Sequence, residues 1–176
     1  MGKRWNHFKM ILRHKVYVAR YCFKLGLYWR GLTHDNSKLS PIEFGESCHY
    51  YTGDRSPIEL ARETKGYSKA WQHHKGRNTH HYEYWLDRDN AIKMPIDDWR
   101  EMLCDWIGAA KSYDRIGFSY AKELEYVEKK LATAKMNEST KESTLNVFKV
   151  LVEIEKLLGT EFADKRFSYI VKTQNY

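Results

Sequence analysis

Hydrophobic residues recur every three or four positions along most of this chain, which is the spacing expected of α-helices. The first segment carries two such stripes, Trp5, Phe8, Leu12, Val16, Ala19 and Phe23 in one and Ile11, His14, Val18, Tyr21 and Leu25 in the other. A helix that is apolar on two sides is predicted to lie at the centre of a fold, with His14 pointing inward. Gly26 or Gly31 is predicted to end this helix.

Two helix starts are predicted from a repeated local signal. Ser40-Pro41-Ile42-Glu43 and Ser56-Pro57-Ile58-Glu59 each combine a serine N-cap, a proline at the first helical position and a glutamate three residues after the serine. The serine and glutamate can each satisfy a backbone N–H that the first turn leaves free. The second of these helices is predicted to run to Gln72 or beyond.

Three further amphipathic helices follow. They run from Met94-Pro95 to about Tyr113, from 119 to 135, and from 139 to 158. The tail after Gly159 has a mixed pattern that predicts no particular element. Since no strand-rich region, repeat or low-complexity tract is apparent, the sequence predicts an all-α fold, a compact orthogonal helical bundle.

Length and composition favour one domain over residues 1–176, with a helical core in 1–115 and additional amphipathic helices in 116–176. Apolar residues make up 42% of the chain and aromatic residues 15%, which argues against disorder. No apolar run approaches the roughly 20 residues of a membrane span, and the N-terminal segment does not resemble a signal peptide. The three cysteines form no pairing motif, so a reducing cytoplasm is expected.

The net charge of +7 is concentrated at one end of the chain. Residues 1–40 hold nine lysines and arginines against one acid, a net of +8, so the remaining 136 residues are close to neutral. A basic region of this kind suggests an anionic partner such as a phosphorylated substrate, nucleic acid or an acidic membrane. It is equally compatible with a solvated helix face. The late amphipathic helices could form an oligomer interface.

Six of the eight histidines fall in three short blocks, and an aspartate follows them. These residues are His14, His34 with Asp35, His73 with His74, His80 with His81, and finally Asp105. Each has an ordinary structural explanation alone: a core histidine, a helix-end pair, exposed basic residues, and a polar stripe (98, 101, 105 and 112) facing water. Together, imidazoles and a carboxylate are what a divalent transition metal prefers, so the set predicts a buried metal centre.

The histidine pairs leave one point open. Adjacent residues on a helix point about 100° apart, so one member of each pair can bind a given ion while its neighbour binds a second ion or contacts the substrate. His73 and His80, or His74 and His81, would share a face if one helix continued through Gly76. If Gly76 ends the helix, the sequence does not distinguish the members of each pair.

The order His, His-Asp, His, His-His, Asp resembles the binuclear branch of the HD-domain metal-dependent phosphohydrolase superfamily. Residues 34–38, His-Asp-Asn-Ser-Lys, reproduce the His-Asp-x-x-Lys signature. The wider pattern over residues 7–113 is also similar to an uncharacterised family of short bacterial and phage HD-like proteins. The features shared with it include 71–74 (Trp-Gln-His-His), 77–85 (Arg-Asn-Thr-His-His-Tyr-Glu-Tyr-Trp), Met94-Pro95, Glu101-Met102 and Asp105-Trp106. The chain departs from the cyclic-dinucleotide branch because no Gly-Tyr-Pro follows the late histidines.

This resemblance implies an HD-domain-like fold and an enzyme that hydrolyses a nucleotide or other phosphoester, as a phosphomonoesterase or a phosphodiesterase. It implies one or two divalent ions, from among Mn, Fe, Co, Zn and Ni, bridged by Asp35 and a hydroxide. The predicted ligands are His14, His34, Asp35, His73, His74, His80, His81 and Asp105. Lys38 would then act beside Asp35 in catalysis, while Arg77 and Asn78 would bind the substrate.

Two other functions fit the same residues. The first is an HD-like di-iron oxygenase, in which the histidines and carboxylates hold iron that activates oxygen. The second is a nucleic-acid-binding module that uses the basic N-terminal region, with the histidines holding structural zinc. Structural zinc needs four protein ligands, and the candidates here exceed that number.

Overall fold

The computed structural model of the chain describes residues 2–114 and 116–176. Over these residues it contains nine α-helices, two short 3₁₀ helices (Asn36–Leu39 and Tyr82–Trp85) and one two-stranded hairpin. The helices are α1 (Lys3–Leu25), α2 (Tyr28–Thr33), α3 (Pro41–Tyr50), α4 (Pro57–Lys65), α5 (Lys69–Lys75), α6 (Ile96–Tyr113), α7 (Tyr120–Thr133), α8 (Glu138–Leu158) and α9 (Thr160–Thr173). The predicted compact all-α fold is confirmed. The core boundary predicted at residue 115 lies outside the described residues.

Most predicted helix boundaries are confirmed, with one error. Helix α1 ends at Gly26, whose φ of 83° is a left-handed conformation that favours glycine. Ser40 and Ser56 cap α3 and α4 as predicted, each accepting a hydrogen bond from the backbone N–H of the glutamate three residues on. The prediction that the second of these helices continues to Gln72 is wrong, because Gly66 ends α4 at a φ of 79°.

Helices α1 and α6 form the centre of the fold. Gly108 of α6 lies directly against Val18 of α1, since a Cβ at position 108 would come within 2.6 Å of a Val18 methyl carbon. The surrounding core contains Tyr21, Cys22, Trp99, Met102, Leu103 and Ile107, together with residues of α7, α8 and α9. This close approach brings the inward side of α1, with His14, onto the polar side of α6.

The prediction that α1 is buried on two sides is wrong. The stripe that contains Ile11, His14 and Val18 is buried, as expected. In the other stripe, Trp5 and Val16 are about half exposed, and Leu12 and Phe23 are also exposed. Helix α1 is therefore a boundary helix with one apolar side on the surface.

The unassigned tail forms α9, which packs against α8 and closes the core. Asp164 of α9 accepts hydrogen bonds from the hydroxyls of Tyr21 and Tyr120, and from Lys111 of α6. These contacts join four helices through one carboxylate. A small hairpin precedes α6, with Leu86 paired to Ala91 and Asp87 paired to Asn90.

Candidate metal centre

Seven of the eight predicted metal ligands meet at one place in the interior, and they come from four parts of the chain. His14 is on α1, His34 and Asp35 follow α2, His74 is near the end of α5, His80 and His81 lie in the turn after it, and Asp105 is on α6. The backbone at Asp35 is left-handed, with a φ of 53°. This is a conformation that only a few non-glycine residues adopt, and aspartate is among the more tolerant.

Four of these residues surround one point, here called site A: His14, His34, Asp35 and Asp105. The two histidine Nε2 atoms lie 3.3 Å apart. Each Nε2 atom is 3.3 Å from Oδ2 of Asp35, and they are 3.1 and 3.3 Å from Oδ1 of Asp105. All four residues are at least nine-tenths buried.

These separations match the size of a tetrahedral metal site. Nitrogen and oxygen ligands about 2.0–2.1 Å from a tetrahedral ion lie about 3.3–3.4 Å from one another. The five distances given for site A fall between 3.1 and 3.3 Å. Two imidazoles and two carboxylates at this spacing are a donor set suited to a divalent transition metal.

A second group, here called site B, shares Asp35 with the first: Asp35, His74, His80 and His81. Oδ1 of Asp35 lies 3.3 Å from Nε2 of His74 and 3.5 Å from Nε2 of His80. The ligand atoms of the group lie within 4.8 Å of one another. Asp35 thus presents one carboxylate oxygen to each group, as a bridging ligand does.

Several polar atoms of the cluster are buried without a hydrogen-bond partner. They are Oδ1 of Asp35 and the Nε2 atoms of His80 and His81. Buried polar atoms are nearly always satisfied, because an unsatisfied one costs about 1–3 kcal/mol. Metal ions at sites A and B would satisfy these atoms. The residues therefore fit the divalent metal centre that the sequence predicts.

Glu101 of α6 contacts one histidine of each site, at the ring nitrogen that faces away from the site. Its Oε1 atom lies 2.8 Å from Nδ1 of His34 and 3.3 Å from Nδ1 of His80. Its other oxygen accepts a hydrogen bond from Arg30, which also donates to Asp98. Burial alone would raise the pKa of Glu101, but the hydrogen bonds from the two histidines hold it well below its usual range.

Glu43 of α3 makes the same kind of contact with the two adjacent histidines of α5, His73 and His74. Its two oxygens lie 2.5 Å from Nδ1 of His73 and 2.8 Å from Nδ1 of His74. His74 then directs Nε2 to Asp35, whereas His73 is a partner of Glu43 outside both sites. Because α5 ends at Gly76, His80 and His81 lie in a turn rather than on the same helix.

The electrostatics of the cluster favour ionised carboxylates. Burial would raise the pKa of Asp35, but His34 and Lys38 lower it to well below its usual value. The pKa of Asp105 is similarly lowered by hydrogen bonds from His14 and His34, against the effect of burial. Ionised carboxylates are the form in which aspartate binds metal.

His81 lies in an environment that disfavours a charged ring. Burial lowers its pKa well below the usual value, and neighbouring His80 lowers it further. This environment favours the neutral ring, which is the form of histidine that binds a metal ion.

The three residues predicted to act on a substrate border the cluster. The ammonium of Lys38 lies 2.5 Å from Oδ2 of Asp35. Arg77 and Asn78 line a cavity of about 570 Å³ that reaches His34 and His80 from the Glu101 side. Asn78 donates to Ser37 and to the backbone oxygen of His74, while Arg77 is exposed.

Sequence reasoning missed the two glutamates that orient the histidines. The explanation that the polar stripe of α6 faces water is wrong, because Asp98, Glu101, Asp105 and Ser112 are all buried. Glu43 was read only as part of a helix-start signal. The available clue to Glu101 was its place one helical turn before Asp105, on the same side of α6.

Within residues 2–114 and 116–176, no helix is long and apolar enough to cross a membrane. The sequence profile of a family described as "Family of unknown function (DUF5662)" matches residues 3–156. No curated protein and no solved structure matches the chain.

Proposed function

The chain belongs to the DUF5662 family, and we propose that this member is a metal-dependent phosphohydrolase with two adjacent metal sites. The observation that carries the proposal is the position of Asp35, whose two oxygens face two different groups of ligands. A carboxylate shared in this way sets two ions close together, as in enzymes that cleave phosphoesters with a pair of metals. The His-Asp-x-x-Lys signature of HD-domain phosphohydrolases at residues 34–38 supports the same reading.

The predicted ligands would bind the two ions in two groups. His14, His34 and Asp105 would hold one ion, His74, His80 and His81 the other, and Asp35 both. When bound, the ions would supply a hydroxide near neutral pH and stabilise the charge that develops on the phosphoryl oxygens. The ions would be Mn, Fe, Co, Zn or Ni, since the donor set suits each of these metals.

Charged and polar groups near the centre suit an anionic substrate. The cavity beside His34 and His80 is lined by ten residues, all polar or charged, and two of them are arginines. Arg77, which is exposed, can offer its guanidinium to a phosphate as a two-pronged donor. The Lys38 ammonium, beside Asp35, would contact an oxygen of the reacting phosphate or of the leaving group. A nucleotide or another small phosphoester would satisfy these groups.

Three buried free thiols, Cys22, Cys48 and Cys104, support a reducing compartment, and we assign the protein to the cytoplasm on that basis.

The test is to measure transition-metal content and phosphoester hydrolysis in the untagged wild type, in Asp35→Ala and in Asp89→Ala. Asp89 is a matched control because its side chain is almost fully exposed and far from the centre in the hairpin turn. The proposal predicts about two equivalents of metal and metal-dependent hydrolysis in the wild type and in Asp89→Ala, and loss of both in Asp35→Ala. A wild type that takes up no metal, or an Asp35→Ala variant that hydrolyses phosphoesters at the wild-type rate, would exclude it.

A further inference from the structure

The surface of α1 carries an apolar stripe that the proposed function does not use. Trp5, Leu12, Val16 and Phe23 are 50%, 43%, 51% and 40% exposed, respectively. Their spacing of four and seven residues places them on one side of the helix. From Trp5 to Phe23 the stripe extends about 27 Å along the helix axis.

Helix α2 extends the same surface. The rings of Phe23 and Tyr28 are in contact, with their centroids 5.5 Å apart. Trp29 and Leu32 are 75% and 59% exposed. Gly31 allows α2 to lie directly on α1, since a Cβ at that position would be 2.9 Å from the Cβ of Cys22. The seven exposed residues of the two helices, Trp5, Leu12, Val16, Phe23, Tyr28, Trp29 and Leu32, are here called the α1–α2 face.

The two helices that carry this face hold charged side chains of one sign. Residues 1–34 contain eight lysines and arginines and no aspartate or glutamate. Arg4 and Arg20 are exposed near the two ends of the stripe, and Lys24 is exposed beside Phe23. A partner of this face must therefore accept apolar and aromatic side chains while presenting negative charge.

This combination of apolar and basic side chains argues against a second copy of the chain, and against single-stranded nucleic acid, as the partner. A second copy of the chain would bring one set of basic side chains against the other, with no acid on either face to compensate. Single-stranded nucleic acid supplies negative charge, but it binds mainly by stacking bases on aromatic rings, and Leu12, Val16 and Leu32 cannot stack.

We propose that the α1–α2 face docks on a bilayer that contains anionic lipids. Tryptophan and tyrosine side chains are favoured at the level of the lipid headgroups, and aliphatic side chains enter the boundary of the acyl chains. Lysine and arginine near the surface add electrostatic attraction to an anionic leaflet. His14 lies on the opposite, buried side of α1, so it is not part of the docking face. The inference goes beyond the proposed function and does not rest on it.

The test is sedimentation of the full chain with vesicles of phosphatidylcholine alone, or with about one third phosphatidylserine. The variants are Val16→Gln with Trp29→Gln on the α1–α2 face, Arg20→Gln beside it, and Leu157→Gln as a control. Leu157 is 79% exposed on α8, so its replacement removes a comparable apolar group outside the α1–α2 face. Because the replaced residues are exposed, the helical circular dichroism spectrum should not change.

We expect the wild type and Leu157→Gln to sediment with the phosphatidylserine vesicles and to be released by raised salt. The double variant should lose at least tenfold in the bound-to-free ratio, and Arg20→Gln should lose severalfold. The proposal is overturned if the wild type binds neither vesicle, or if the double variant binds as well as the control. It is equally overturned if the double variant instead abolishes a dimer seen by analytical ultracentrifugation, or binding to a single-stranded oligonucleotide.

Discussion

Nδ1 of His34 lies 2.8 Å from a carboxylate oxygen of Glu101. The carboxylate is ionised because its pKa is held below the usual range, so the ring donates its proton there. In the neutral ring, which is the form that binds a metal ion, Nε2 of His34 would then carry the lone pair, directed at site A. The same carboxylate oxygen is 3.3 Å from Nδ1 of His80 in site B. One side chain therefore sets the orientation of a ligand in each of the two groups.

Replacing Glu101 with glutamine should weaken both sites together. The amide lacks the charge that favours a proton on Nδ1 of His34 and His80, and such orienting contacts typically affect metal affinity by about 10–100-fold. Isothermal titration with Zn²⁺ or Mn²⁺ would measure the loss. Asp97→Asn is the control, since Asp97 is on the same helix but pairs only with Arg100 at the surface. Unchanged affinity in Glu101→Gln would show that the carboxylate has no orienting role.

Replacing each of the two histidines of α5 with alanine should have different effects on the metal content of the protein. His74→Ala removes an Nε2 atom that lies 3.3 Å from Asp35, so the metal content should fall by about one equivalent per chain. His73→Ala should keep the metal content of the wild type, because His73 contacts Glu43 outside both sites. Elemental analysis of the two purified variants decides the point, and the reverse result would assign the ligand to His73.

The stability of the protein should fall as the pH rises, because Glu123 of α7 is a buried carboxyl group that belongs to neither metal site. Burial raises the pKa of Glu123 to about 8, Lys130 opposes the rise and Asp105 adds to it. In the unfolded chain the value is close to 4.5. The folded state therefore binds the proton more tightly, and this contribution is complete below about pH 4.5 and lost as pH rises through about 8.

Glu123→Gln should remove that dependence. Relative to the variant, the wild type should lose up to about 1.4 kcal/mol per pH unit in its free energy of unfolding between about pH 4.5 and 8. Urea unfolding at several pH values measures the difference. Parallel pH profiles for the two proteins would contradict the assignment.

The contact between α1 and α6 should tolerate no additional methyl group. Gly108→Ala would place a carbon 2.6 Å from a Val18 methyl, and overpacking of this kind costs about 1–3 kcal/mol. Gly45→Ala in α3 is the matched control, because no atom beyond its chain neighbours and its own helix backbone lies within 4 Å of the added carbon. There the substitution should stabilise the helix by about 0.5–1 kcal/mol. Thermal unfolding of the two variants should therefore shift in opposite directions.

The sequence predicted the parts of this structure that depend on local signals. The serine caps at 40 and 56, the glycine stop after α1 and the start of α6 near Pro95 were all found from residues within one helical turn. His14 was placed inward because it lies on a regular apolar stripe. Eight candidate ligands were named from their residue types and from the resemblance at residues 34–38, and seven of them meet in the structure.

What the sequence did not reveal depends on contacts between distant elements. Glu43 contacts both His73 and His74, and the two differ because Nε2 of His74 lies beside Asp35, which is distant in the sequence. Glu101 lies on a stripe that is polar in sequence but buried in the fold, because it faces histidines rather than water. The exposed stripe of α1 was misread because periodicity shows that a side is apolar, not what covers it.

The left-handed backbone at Asp35 limits how this position can change over time. An L-residue at a φ of 53° is conformationally costly, and aspartate, asparagine and glycine bear that cost most easily. Each of the latter two is one nucleotide change away from an aspartate codon. A lineage that no longer needed the metal centre would be expected to drift to asparagine or glycine here, gaining stability as it lost the bridging carboxylate. Under the proposed function, the residue at this one position would distinguish relatives that keep the metal centre from those that keep only the fold.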